Sequence, residues 1–285
     1  MRFRIAVVSL SSLFAVSIFP TRAKAQVELY LDPTAEIEDR VEDLLGRMSL
    51  RDKIGQMMLD AENTFELAPN IGSYLVGASD PPEGENTPSV WRERFNALEA
   101  FNQQPSGIPI VFGTDVVHGN NIISGATIFP HNIGLGATKN ATLIKEIGQI
   151  TAEEMITSGL DQTFAPTLAV VRDVRWGRTY ESYGEDTDLI RSYAKAFITG
   201  LQGETQPFKV IATAKHWVGD GGTTGGVDAG DTALDLDTLL EIHGTPYIDA
   251  IEAGVGSIMV SFSSVNGLNM HMHQELIEGV LKGEM

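Results

Sequence analysis

Between residues 108 and 282 the chain repeats one series four times: a short apolar run, a polar loop, then a stretch with apolar residues three or four positions apart. The apolar runs are Ile108–Phe112, Thr163–Val171 (interrupted by Pro166), Lys209–Thr213 and Val255–Phe262, with the length and the Val, Ile and Phe content of buried strands. The helical stretches begin at Asn140, a capping residue ahead of Leu143, Ile144, Ile147 and Ile150, and continue at 186–201, Leu234–Ala253 and His273–Lys282. Strictly alternating strands and helices predict a parallel sheet covered by helices. In every unit the polar residues follow the strand, the face on which a (β/α) barrel builds its site. The expected fold is therefore α/β, a (β/α)8 TIM-type barrel. It is incomplete, since only about five of eight units fit the chain. A doubly wound open sheet competes, but its G-x-G-x-x-G phosphate loop is absent.

Ahead of this series, Thr34–Met48 places Ile37, Val41, Leu44, Leu45 and Met48 on one helical face, and Ser49-Leu50-Arg51-Asp52 opens a second helix in the manner of a capping box. Val90, Trp91, Phe95, Leu98 and Phe101 form a further face, after a proline-rich acidic loop at Asp80–Pro88.

The loop after the third strand is the most distinctive. Lys215 and His216 stand where that strand ends, followed by glycines at 219, 221, 222, 225, 226 and 230 and by Asp220, Asp228 and Asp231. An adjacent Lys and His at a strand mouth suit a polar ligand, and the glycines give the loop freedom to approach it. Three carboxylates without a cation argue against phosphate, and a plain surface loop is the bland alternative.

Composition narrows the partners. Residues 1–25 have the Arg2/Arg4 n-region, the apolar Ile5–Phe19 h-region and the Ala23-Lys24-Ala25 cleavage site of a secretory signal peptide, which predicts a secreted or periplasmic chain beginning at Gln26. Removing it takes Arg2, Arg4, Arg22 and Lys24 and moves the formal charge from −18 to −22. So acidic a chain is a poor partner for nucleic acid or anionic membrane, while a neutral sugar is compatible. There is no cysteine, hence no disulfide or thiolate chemistry. His271 and His273 have the spacing of a metal pair but no third ligand nearby, so no metal and no cofactor is expected.

Five stretches in order, Phe112–Gly119, Ala126–Thr138, Arg175–Asp186, Ala214–Thr223 and Ile258–Gly267, resemble glycoside hydrolase family 3, most closely its exo-acting β-glucosidase and glucan glucohydrolase branch. The resemblance implies a pocket for one terminal glucose of a β-glucoside or β-glucan oligosaccharide, opened by a retaining mechanism. Matched residue by residue, Asp115 would accept from sugar hydroxyls while Arg178, Lys215 and His216 would donate. Each has a structural alternative: Asp115 as a turn residue, Arg178 in an ion pair with Glu181 or Glu185, His216 as a core histidine. His118 and His131 are expected to order loops, and Asp220 to hold its own loop.

Two departures stand out. Phe262 occupies a position where many members of the family carry Tyr, and Ala229 one where some carry Glu. No Ser-Asp-Trp, the family's nucleophile motif, occurs; it is expected just past Leu281-Lys282-Gly283-Glu284, that is, beyond Met285. The acid/base is expected on a further C-terminal domain. The chain then holds the glucose subsite and neither catalytic carboxylate, and is inactive alone. The alternatives are an exported non-catalytic sugar-binding fragment, and the family's β-N-acetylhexosaminidase or β-xylosidase branches. The first of those branches places a His in the loop after Lys-His, and none lies between Trp217 and Ile242.

Overall fold

A computed structural model of the chain describes residues 28–61, 70–76, 85–102, 107–203 and 210–285. The expected signal peptide, most of the Asp80–Pro88 loop, Lys209 and the side chain of Phe101 lie outside the described residues. The chain divides into two units, one ending at Arg47 and one running from Met48 to Met285.

The first unit is a short 3-10 turn, Leu29–Leu31, and the helix α1 (Ile37–Arg47). Asp43 accepts from the Tyr30 backbone N–H at 3.1 Å, and the Arg40 side chain donates to the Tyr30 carbonyl at 3.0 Å. The apolar residues Ile37, Val41 and Leu45 of α1 are exposed.

The second unit opens with α2 (Leu50–Gln56), whose capping box forms as the sequence indicates: Ser49 Oγ accepts from the Asp52 N–H and Asp52 Oδ2 from the Ser49 N–H. Six parallel strands follow in one sheet: β1 (Leu59–Ala61), β2 (Ser73–Leu75), β3 (Val111–Thr114), β4 (Gln162–Thr163), β5 (Ile211–Trp217) and β7 (Ser257–Val260), side by side in chain order. Sequential parallel order with helical crossovers is the arrangement of a (β/α) barrel, here incomplete. The helices are α3 (Pro88–Asn102), α4 (Asn132–Gly136), α5 (Ala141–Ser158), α6 (Thr187–Gln202), α7 (Leu236–Leu239) and α8 (Thr245–Glu252).

Several expectations need correcting. β1 and β2 carry three residues each and too little apolar sequence to announce themselves. The Thr163–Val171 run pairs only through Gln162–Thr163 and a single bridge from Thr167 to Lys215, with Ala165–Pro166 cis between them. The Leu234–Ala253 helix is α7 and α8 joined by a π-helical stretch at Leu240–Gly244, and the last helix is π-helical over Glu275–Leu281. Ser263–Gly267 belongs to a small second sheet, in which β6 (Asp231–Thr232) runs parallel to β8 (Ser264–Val265) and β8 turns through Asn266-Gly267 into antiparallel β9 (Leu268–Asn269).

Packing follows the helical faces read from sequence. Trp91, Phe95 and Leu98 are buried, with the Phe95 ring stacked at 4.5 Å on Phe112 of β3. In α5, Ile144 and Ile147 are buried but Ile150 is exposed. α5 and α6 cross where each lacks a side chain: a Cβ on Gly200 would lie 2.2 Å from the Lys145 carbonyl oxygen, and one on Gly148 2.8 Å from that of Phe197.

Candidate functional site

Lys215 and His216 are not beyond their strand but within it, in β5. In a regular strand consecutive side chains point to opposite faces. The pairing of β5 with β7 slips here: Lys215 sits opposite Met259 and Trp217 opposite Val260, so two steps on β5 answer one on β7. This is a β-bulge at His216, a device that re-aims side chains. It lets both residues serve one end of the sheet. The Lys215–His216 and Trp217–Val218 peptides of this stretch are cis.

Two cavities adjoin there. One of about 330 Å³ is lined by Asp115, His118, His131, Tyr180, Glu181 and Lys215; one of about 430 Å³ by His216, Asp220, Asp228, Ser261, Phe262 and His271. Arg178 lines both, and thereby joins the four residues singled out in the sequence.

Lys215 Nζ donates to Asp115 Oδ1 at 2.8 Å across 100 residues of sequence. The ammonium is 4 % exposed and the carboxylate 58 %, so a buried cation meets an acceptor that also faces the cavity. Arg178 is gripped by Glu181, Nε to Oε1 at 2.7 Å and Nη2 to Oε2 at 2.8 Å, a fork-to-fork geometry that raises its pKa further. The 3-10 turn Thr179–Glu181 sets this spacing, and Asn132 of α4 fixes the turn by donating to the Glu181 carbonyl at 2.7 Å. The structural alternative for Arg178 is thus present together with its place in the cavity wall.

Arg178 Nη2 also lies 3.2 Å from His216 Nε2, and His216 Nδ1 lies 2.7 Å from Asp220 Oδ2. A guanidinium only donates and a carboxylate only accepts. These contacts suit a ring with its hydrogen on Nδ1 and its lone pair on Nε2, whereas the resemblance implied that His216 donates. Asp220 does hold its loop, accepting from the Gly221 N–H at 3.0 Å, but it holds His216 as well.

The glycine loop comes close to its own protein. A Cβ at Gly221 would lie 2.5 Å from the Val170 carbonyl oxygen, and the Arg172 N–H donates to the Gly221 oxygen at 2.8 Å. Gly222 lies against His243, which is 2 % exposed with neither ring nitrogen hydrogen-bonded; burial pushes its pKa down to about 4. The loop's far end is tied to the β8–β9 hairpin through Asp231, which accepts from Ser264 Oγ and the Gly267 N–H.

His118 and His131 order loops, as anticipated, and line the smaller cavity as well. His118 Nδ1 donates to the Phe129 carbonyl at 3.0 Å, the two imidazoles meet at 4.1 Å with their planes tilted by 38°, and His131 meets Tyr180 edge-on at 4.9 Å. Burial, then the neighbouring His118, lowers the His131 pKa. His271 packs on Phe262 rather than pairing with His273, and among the described residues no group of three or more His, Asp or Glu gathers as a metal site. Of the two partners the sequence offered Arg178, the structure selects Glu181; what sequence reasoning missed is Asp220 as the holder of His216, though their i, i+4 spacing carried the signal. It also missed Asp228, which accepts from the Trp176 indole at 3.0 Å and keeps a carboxylate in the larger cavity.

A parallel (β/α) sheet with cations and carboxylates gathered at the carboxyl ends of its strands is the plan on which barrel enzymes build their sites. The description "Glycosyl hydrolase family 3 N terminal domain" matches residues 49–285, and the chain belongs to that family. It is 32 % identical to the lysosomal beta glucosidase of Dictyostelium discoideum over 278 residues, covering 86 % of this chain and 34 % of that protein. It is 31 % identical to the periplasmic beta-glucosidase of Salmonella typhimurium over 258 residues, covering 88 % and 32 %. Among solved structures, an exo-1,3/1,4-beta-glucanase from a Pseudoalteromonas species superposes with a TM-score of 0.82 at 43 % identity, over 90 % of this chain and 34 % of that one. The Listeria innocua beta-glucosidase in complex with glucose superposes at 0.73 and 28 % identity, over 88 % and 36 %. The chain thus spans about a third of the length of these relatives.

Proposed function

We propose that this chain recognises the terminal β-D-glucose of a β-glucoside or β-glucan on behalf of a retaining glycosidase, through Asp115, Arg178, Lys215 and His216. The observation that carries the reading is that Asp115 and Lys215 line one cavity, His216 lines the other, and Arg178 lines both. A pyranose presents hydroxyls that each donate and accept. Asp115 accepts from them, Lys215 and Arg178 donate, and His216 holds the Arg178 guanidinium in place. Such a set discriminates strongly against a sugar lacking a hydroxyl, because its buried polar groups would be left unpaired.

Retaining hydrolysis needs two carboxylates about 5–5.5 Å apart, one attacking the anomeric carbon and one protonating the departing oxygen. Asp115 and Asp220 are engaged with Lys215 and His216, and no residue of this chain is assigned either catalytic role. The reading gives the chain substrate recognition, and leaves bond cleavage to carboxylates from the remainder of a longer enzyme. Export to the periplasm or beyond belongs to the same reading. It is supported by the signal-like N-terminus and by a relative named periplasmic; among the described residues no helix is long and apolar enough to cross a membrane.

The test is calorimetric titration with laminaribiose and D-glucose alongside an aryl β-glucoside assay. Saturable binding without turnover is expected. Turnover at ordinary enzyme rates would contradict the assignment of no catalytic carboxylate, and absence of binding would contradict the subsite. Relatives named beta-xylosidase, such as that of Formosa agariphila at 30 % identity, give a second reading. Tighter binding of D-xylose than of D-glucose would favour it.

A further inference from the structure

We propose that Asp220 is a positioning residue: it holds His216 as the neutral imidazole protonated on Nδ1, so that Nε2 accepts from Arg178 and orients that guanidinium in the cavity wall. The proposal deepens the sugar-subsite reading and rests on it for its purpose, though not for its geometry.

Two independent contacts define the tautomer. Asp220 Oδ2, 2.7 Å from Nδ1, can only accept, so Nδ1 carries the hydrogen. Arg178 Nη2, 3.2 Å from Nε2, can only donate, so Nε2 offers its lone pair. The opposite tautomer would set a lone pair against the carboxylate and an N–H against the guanidinium, replacing two attractions by two repulsions. His216 and Asp220 are 8 % and 7 % exposed, so water does not stand in for a lost partner.

Both ends of the chain of contacts are anchored. Asp220 Oδ1 accepts from the Gly221 N–H at 3.0 Å, and Gly221 is pressed against the Val170 carbonyl where no side chain fits. Arg178 is held by both oxygens of Glu181. The bonding partner of one ring nitrogen decides what the other can do, and here that partner is built into the loop. Arg178 Nη2 thereby gives its two hydrogens to Glu181 and His216, and the guanidinium is fixed in the cavity wall with Nη1 left to donate to a sugar hydroxyl. With the other tautomer an N–H would face the guanidinium and push it from that place.

The test uses the whole chain with 15N-labelled histidine, reading ring tautomers from two-bond proton–nitrogen correlations at neutral pH and assigning His216 by the signal lost in His216→Gln. The wild-type ring is expected as the Nδ1–H form. Asp220→Asn, whose amide oxygen still accepts, keeps that form. Asp220→Ala loses it to a mixture and weakens D-glucose binding roughly tenfold or more, the scale of a lost charged hydrogen bond. A residue that merely braced its loop would lower the melting temperature in Asp220→Ala and leave the tautomer alone. An Nε2–H ring in the wild type or in Asp220→Asn overturns the proposal, and these two decide it should Asp220→Ala not fold. An unchanged tautomer with unchanged glucose affinity in folded Asp220→Ala overturns it equally. The Nδ1–H ring in a chain that binds no sugar would uphold the positioning and sink the subsite.

Discussion

Lys215 and His216 are neighbours that a regular strand would send to opposite faces, and the bulge opposite Met259 and Val260 is what lets both reach the cavities. The two differ in what they risk. Lys215 is buried with Asp115 as its acceptor, but Asp115 is 58 % exposed, so water solvates the carboxylate when the ammonium is removed and no unpaired buried charge is left. Lys215→Met is therefore expected to shift stability by no more than about 1 kcal/mol while lowering glucose affinity roughly tenfold or more; thermal denaturation and calorimetry check the two halves separately. His243 gives a pH prediction. Burial lowers its pKa from 6.5 to about 4, against a weaker opposing pull from Asp220, with Arg172 adding to the lowering. The unfolded chain takes up this proton first, so the contribution is fully present above pH 6.5 and is lost as pH falls towards 4. The loss is about 3 kcal/mol at most, and denaturant titrations across that window should show it in the wild type and not in His243→Leu.

Helices were the most legible elements, because their faces and caps are written in local spacing. Asn140 caps α5 by accepting from the Leu143 N–H, and Ser49 caps α2. Ser49→Ala should cost about 1 kcal/mol in chemical denaturation. At the α5–α6 crossing, Gly200→Ala sets helix propensity, which favours alanine by about 1 kcal/mol, against a Cβ placed 2.2 Å from the Lys145 oxygen. The clash is with backbone that cannot rotate away, so the variant should lose about 1–3 kcal/mol, read as a lowered unfolding midpoint. Strands were less legible. Three residues of β1 or β2 hold no period, and β5 continues through Lys215 and His216 because its partner β7 is beside it, a fact no local pattern contains. The π-helical turns at Leu240–Gly244 and Glu275–Leu281 keep nearly the apolar spacing of an α-helix, so their backbone was invisible. The site divides in the same way. Asp115, Arg178, Lys215 and His216 stood out through motifs. The bonds that orient them depend on which turn brings Glu181 under Arg178 and Asp220 under His216.

In the second unit, the sheet has β1 at one edge and β7 at the other, and among the described residues no strand pairs with the free side of either. β7 reads Ser-Ile-Met-Val and is half-buried throughout, while β5 beside it is almost wholly buried. An apolar edge strand is a template for another chain. The chain is therefore expected to self-associate as concentration rises, and light scattering behind a sizing column checks this; a monodisperse monomer at all concentrations would contradict it. The proposed recognition turns on convergence: Asp115 just past β3, Lys215 and His216 of β5, and Arg178 at the head of its 3-10 turn meeting round one pyranose. The most direct measurement is nuclear magnetic resonance of the lysine ammonium and histidine ring signals during a D-glucose titration. Saturable shifts at Lys215 and His216 with one common affinity, abolished by Asp115→Ala, are predicted. Shifts that saturate at unrelated affinities, or that survive Asp115→Ala unchanged, would contradict a single sugar pocket.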